Sequence, residues 1–244
     1  MTIVAQGVTE QLVEHAIALP EERIPAEARE AAKRLFLDFL AVAVGGRWLA
    51  ESSSVILQGT KLLAGSGSGP STIIGEEGGY TAQYAALANG ALVHSMDFDD
   101  TYQAAYLHPG APVFATLLAL AEAEGKGGPE FLTAAVVGYD VACRIGRVPG
   151  PNIIQRGFHP TGIVGIFGAT AAGARLLGLS QAQAANALGI NISQAAGTQQ
   201  FLVNGAWTKR LHVGLAAHNA IYALTFAGLG FLGSASPLEG RAGL

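Results

Sequence analysis

The stretch Ala26-Glu27-Ala28-Arg29-Glu30-Ala31-Ala32-Lys33-Arg34-Leu35-Phe36-Leu37-Asp38-Phe39-Leu40-Ala41-Val42-Ala43-Val44 carries apolar residues at Ala28, Ala31, Ala32, Leu35, Phe36, Phe39, Leu40 and Ala43. Steps of three and four keep these side chains on one stripe of an α-helix, whereas a strand would need them at alternate positions. A long amphipathic helix is therefore expected over 26–44. Pro25 stands where a first turn tolerates a missing N–H, and Gly45-Gly46 is expected to stop the helix.

The same period recurs outward in both directions. Leu12, Val13, Ala16 and Ile17 predict a helix over 9–19, with His15 on its solvated side and Pro20 closing it. Residues 51–64 predict another. Gly65-Ser66-Gly67-Ser68-Gly69-Pro70 has neither the Lys-Ser/Thr nor the βαβ setting of a phosphate loop, so it is expected to be a solvated connection. Ser71–Ile74 is expected to be extended, and Thr81 to cap a helix that runs through Ala91 toward Asp97. Helices follow over 111–124 and 129–145, then one after His159-Pro160. Ser180 with Gln183 forms a capping box for 181–193, and a last helix is expected from Leu215 to about Gly228. Gly165, Ala169 and Gly173, spaced by four, predict a closely packed second backbone. Alternating strands do not recur and no repeat has a fixed period, so an all-α domain is expected over 1–244.

With 50% hydrophobic and 13% charged residues, 244 residues can bury a sizeable core. Asp38, His212, His218 and many glycines interrupt the apolar runs, so no transmembrane helix is expected. Met1–Gly7 has neither the basic start nor the apolar core of a signal peptide, which points to an intracellular, cytoplasmic protein. The single cysteine, Cys143, excludes an internal disulfide and argues against a cysteine metal site, and is expected to be a small apolar residue rather than a nucleophile. A net charge of -4 without a basic run argues against nucleic acid and leaves a small molecule as the expected partner. Ser236–Leu244 offers no closing element, and the chain reads as cut in mid-course.

Chemistry concentrates in His94-Ser95-Met96-Asp97-Phe98-Asp99-Asp100-Thr101, followed by His108-Pro109-Gly110. Of 18 acidic residues three fall within four positions here, flanked by two of six histidines. On a continuing helix Asp97, Asp100 and Thr101 would share a face and crowd like charges, while Asp99 would lie off it in solvent. A merely solvated helix end is the alternative. Gly157-Phe158-His159-Pro160 and Lys209-Arg210-Leu211-His212 offer the remaining polar groups. If the three segments meet, a carboxylate, imidazoles, a hydroxyl and an ammonium suit proton abstraction beside a carboxylate. A His/Asp zinc site is a competing possibility, although no H-x-x-x-H or H-E-x-x-H spacing is present.

Four stretches carry a resemblance: Asn89 to Thr101, Gly157 to Pro160, Gly189 to Gly197, and Lys209 to Gly214. In these the chain resembles the MmgE/PrpD family, which includes 2-methylcitrate dehydratase, cis-aconitate decarboxylase and iminodisuccinate epimerase. The resemblance implies a helical domain of a lyase or isomerase acting on a small di- or tricarboxylate without metal or cofactor. It also implies a homodimer and a further α+β lid domain, before which this chain stops. Carried over, the family's site falls on Asp97, Thr101, His108, His159 and Lys209. His159 or His108 would be the acid or base, Asp97 would orient an imidazole, and Lys209 with Thr101 would hold carboxylates. A non-catalytic helical binding module is the alternative.

Overall fold

A computed structural model describes residues 7–65 and 68–244, and among these the secondary structure is helical, with three isolated antiparallel bridges and no strand. The helices are α1 (Val8–Ala18), α2 (Ala26–Leu49), α3 (Ser53–Ala64), α4 (Ala82–Val93), α5 (Gly110–Glu124), α6 (Gly128–Arg147), the one-turn α7 (Asn152–Gln155), α8 (Pro160–Leu177), α9 (Gln181–Asn191), the one-turn α10 (Phe201–Asn204) and α11 (Thr208–Gly228). The all-α expectation holds. Met1–Gln6 and Ser66-Gly67, which include part of the glycine-serine connection, lie outside the described residues.

Helix α8 forms the centre because it is small and apolar on every side, which leaves it no face to offer to water. All residues from Pro160 to Ala174 are buried, against α5, α6, α9 and α11. It is long and apolar enough to cross a membrane, but 89% of it is buried within this protein, as in a core helix. The stripe of α2 does what its spacing predicts: Phe36 and Phe39 meet Phe114 of α5 and Phe131 of α6, with the Phe36 and Phe131 ring centroids 4.7 Å apart. Such tilted rings add directional attraction to the area they bury.

Several boundaries differ from the sequence expectation. Gly45-Gly46 does not stop α2, which continues to Leu49. A Cβ at Gly46 would collide with the Leu92 carbonyl, so this glycine serves close approach to α4 rather than termination. Ser71–Ile74 forms one bridge, Ser71 to Tyr80, which the buried Asn89 fastens by accepting from Ile74 N at 2.9 Å and donating to Thr72 O at 2.8 Å. The close backbone contact expected at Gly165 and Gly173 lies elsewhere: those two face the Pro112 and Leu224 side chains, and Gly168 meets Gly138 of α6, whose carbonyl would lie 2.8 Å from an added Cβ. A second glycine crossing pairs Gly90 of α4 with Gly214 of α11, an added Cβ at Gly90 lying 3.2 Å from the Gly214 Cα. The last helix begins at Thr208, seven residues ahead of Leu215, because Lys209, Arg210 and His212 turn toward other elements instead of disrupting it.

Candidate active site

Helix α4 ends at Val93, not near Asp97. The Ser95 hydroxyl donates back to the Ala91 carbonyl at 2.6 Å, and Asp97 adopts the left-handed region at φ 60°. This reversal, tolerated by Asp better than by most residues, breaks the helical face on which Asp97, Asp100 and Thr101 were expected to sit together. Asp97 and Phe98 turn outward and Asp99 turns inward. Asp99 is therefore not solvated: it is 5% exposed, and His94 Nδ1 donates to its Oδ2 at 2.8 Å.

The chain next makes the Tyr102–Leu107 bridge, with Tyr106 also left-handed at φ 51°, and delivers His108 to the same place. The Gly110 N–H at the start of α5 donates to Asp100 Oδ1 at 3.1 Å. His108 Nδ1 lies 3.3 Å from the Asp99 carbonyl, 3.5 Å from Asp99 Oδ1 and 3.4 Å from Thr101 Oγ1, and its Nε2 lies 3.7 Å from Asp97 Oδ1.

Two further elements converge. His159 is the N-cap residue of α8, with Pro160 as the first helical residue and its own N–H donated to the Gly197 carbonyl at 2.9 Å. The first turns of α11 bring Lys209, which donates to Asp97 Oδ1, and His212, whose Nδ1 lies 3.4 Å from His159 Nδ1. Ring centroids link the set: His94 is 4.8 Å from His108 and 5.4 Å from His159, and His159 is 5.5 Å from His212. All five residues carried over from the resemblance thus lie in one cluster, centred on His94.

Three further residues, His94, Asp99 and His212, belong to the cluster. A helix continuing past Val93 would leave Asp99 solvated and apart from His94, so their contact is not legible from helical spacing. His212 is three residues after Lys209 on a helix and so shares its face, a signal that was available once α11 was recognised as starting early.

The surroundings set the charge states of the cluster. Burial opposes ionisation of Asp97, but the hydrogen bond and charge of Lys209 outweigh it and hold the carboxyl below its usual range. Burial lowers His108, against the pull of Asp99 and Asp97, and lowers His212. Burial and the neighbouring imidazoles push His159 down to about 2. The three rings are thus neutral at neutral pH, with lone pairs free to accept a hydrogen bond. Ligand atoms of His94, Asp97, Asp99 and His108 lie within 4.8 Å of one another, a spacing that could hold a metal ion. Two of those donors are engaged, however, Asp97 by the Lys209 ammonium and Asp99 by His94, so a fixed cation already faces the cluster. Cys143 is half-buried in α6, and burial pushes its thiol up to about 11, as suits a residue that is not a nucleophile.

The comparison with known proteins decides the family. The MmgE/PrpD N-terminal domain model matches residues 10–244. The chain belongs to the MmgE/PrpD family. It is 32% identical over 238 residues to a cis-aconitate decarboxylase-like protein of Aspergillus oryzae, covering 93% of this chain and 48% of that protein. It is 40% identical over 166 residues to the cis-aconitate decarboxylase of Homo sapiens, covering 66% of this chain and 34% of that protein. Against the cis-aconitate decarboxylase of Aspergillus terreus it is 32% identical over 224 residues, covering 88% and 44%. The chain spans less than half the length of each of these relatives. Decarboxylases are carbon-carbon lyases, so this MmgE/PrpD chain is similar to lyases.

Proposed function

We propose that the full-length protein is a lyase that decarboxylates a small unsaturated tricarboxylate of the cis-aconitate type. The observation that carries this reading is the group of neutral imidazoles placed around the Asp97–Lys209 pair. Lys209 and Thr101 receive substrate carboxylates. The arriving anion stabilises imidazolium, so His108 takes up a proton as substrate binds. Loss of carbon dioxide breaks one C–C bond, and the electron pair moves into the adjacent alkene. A carbon of the shifted system accepts the proton from His108 Nε2, while Asp97, 3.7 Å from that nitrogen, stabilises the charged ring beforehand. No step calls for a metal or an organic cofactor. Dehydration or epimerisation would use the same groups, and the decarboxylase names of the relatives favour decarboxylation. A homodimer completes the proposal.

The test is to incubate purified full-length protein with cis-aconitate, 2-methylcitrate, citrate and iminodisuccinate in heavy water, following carbon dioxide release and proton NMR. Carbon dioxide with one deuterium gained per product molecule supports decarboxylation; alkene formation without carbon dioxide assigns the protein to dehydration. Inertness toward all four overturns the reading in favour of a non-catalytic module.

A further inference from the structure

We infer that Asp99, to which the family comparison assigns no role, is a positioning residue that fixes the tautomers of two imidazoles at once, His94 and His108. The inference concerns the site described above and rests on the proposed reaction only where turnover is measured.

The geometry leaves little choice. Asp99 Oδ2 faces His94 Nδ1 at 2.8 Å, and a carboxylate can only accept, so the His94 proton lies on Nδ1. His108 Nδ1 lies 3.3 Å from the Asp99 main-chain carbonyl and 3.4 Å from Thr101 Oγ1, whose own proton goes to that carbonyl, while Asp99 Oδ1, 3.5 Å away, makes no hydrogen bond. With the hydroxyl proton directed at the carbonyl, Nδ1 meets acceptors, and the acceptor nearest Nε2, Asp97 Oδ1, is beyond hydrogen-bond distance at 3.7 Å and engaged by Lys209, so the single proton of neutral His108 also lies on Nδ1. Two lone pairs are thereby fixed on Nε2. That of His108 points to the Asp97 side, where the substrate is expected, and His94 Nε2 is buried with no hydrogen-bond partner in the protein. A buried acceptor without a partner is costly, which is tolerable where a ligand can donate to it. His94 also buttresses the far side of the site, since its ring lies 5.4 Å from that of His159 at an interplanar angle of 23°. Asp99 thus sets the hydrogen-bonding sense of both rings, through its carboxylate at His94, which packs between His108 and His159, and through its main-chain carbonyl at His108, with Oδ1 close by.

An amide cannot do this. In Asp99→Asn one of the two positions becomes an NH₂ group, and whichever way the amide turns, that NH₂ faces an Nδ1 already carrying a proton. Either one ring reverses its tautomer or one contact breaks.

The experiment is nitrogen-15 NMR of histidine-labelled protein near pH 7.5, with His94→Gln and His108→Gln assigning the signals. Both parent rings are expected to be protonated on Nδ1, and a proton on Nε2 of either would overturn the inference without reference to any substrate. Asp99→Asn is expected to reverse or broaden one of the two patterns and to lower kcat by ~10²-fold with KM changed only a few-fold, as for loss of an oriented proton donor. Unchanged patterns and unchanged kcat in a folded Asp99→Asn protein would also overturn it. Should no carboxylate turn over in the parent, the NMR result still decides the tautomers, and only the proposed reaction fails.

Discussion

Lys209 and Asp97, separated by 112 residues, form an ion pair that joins the first turn of α11 to the reversal after α4. Asp97 is 54% exposed at its side chain, so the pair contributes little to stability. Its value lies in holding an ammonium at the mouth of a cluster of neutral rings. Replacing Lys209 with Met keeps much of the aliphatic stem and removes the charge. A KM raised by at least ~10-fold for a di- or tricarboxylate is expected, as for loss of one charge-assisted contact. The Asp97 carboxyl should also titrate at higher pH, which carbon-13 NMR of the labelled side chain would read; an unchanged titration would refute the pairing.

His159 closes the inner wall of the site and is 4% exposed. Its ring touches His94, His212 and Phe201, so Ala would leave a cavity as well as remove a nitrogen. His159→Gln separates the two effects. It should retain most of the melting temperature and lower kcat by ~10²-fold, whereas His159→Ala should lose roughly 1–3 kcal/mol of stability in addition. Melting curves and steady-state kinetics on both variants test this, and full activity in the Gln variant would show that the His159 nitrogens are not needed for turnover.

The fold class and the site divide differently between sequence and structure. The stripe of α2 and the capping box at Ser180 state their own geometry, because local spacing and a side-chain cap act within one or two turns. The end of α4 does not. Asn89 to Asp97 keeps helix-compatible residues throughout, and the stop depends on Ser95 bonding back to Ala91 and on where His94 and Asp99 can be buried together, which is a tertiary matter. Gly45-Gly46 misleads for the same reason: a glycine pair that would end an isolated helix is here a groove for Leu92. The carried-over residues Asp97, Thr101, His108, His159 and Lys209 do converge, yet His94, which lies between them, could be recognised only once the chain reversal was known.

Asp100 predicts a pH dependence of stability. Burial pushes its carboxyl up to about 7, with the charges of Asp99 and Asp38 adding to the effect and Tyr139 and the Gly110 N–H opposing it. The unfolded chain releases this proton near the ordinary Asp value, while the folded chain holds it until about pH 7. Between roughly pH 4 and pH 7 the folded state therefore binds more protons, and stability falls as pH rises through that window. Asp100→Asn keeps an acceptor for Gly110 N and removes the titration. Its melting temperature should exceed that of the parent at pH 8 and converge with it near pH 4; a parallel pair of curves would show that Asp100 ionises normally.

The crossing of α4 and α11 at Gly90 and Gly214 sets the distance between the two halves of the site, because His94 follows α4 directly and Lys209 and His212 open α11. A methyl at Gly214 would run into the Leu87 carbonyl, and backbone cannot yield as a flexible side chain can. Gly214→Ala must therefore push the helices apart. Overpacking of this kind costs roughly 1–3 kcal/mol, and here the displacement has a direction, since it draws Lys209 away from Asp97 and His212 away from His159. Activity should consequently fall further than stability. At a temperature where the variant remains fully folded by circular dichroism, kcat/KM should still be down by ~10-fold or more, because misplacement by even about 1 Å is costly to an oriented reaction. Gly178→Ala, at the left-handed end of α8 with open space around its Cα, provides the contrast. It should lose stability through backbone strain and keep its kcat/KM when folded. Equal catalytic losses in the two variants would show that the glycine crossing does not set the site geometry.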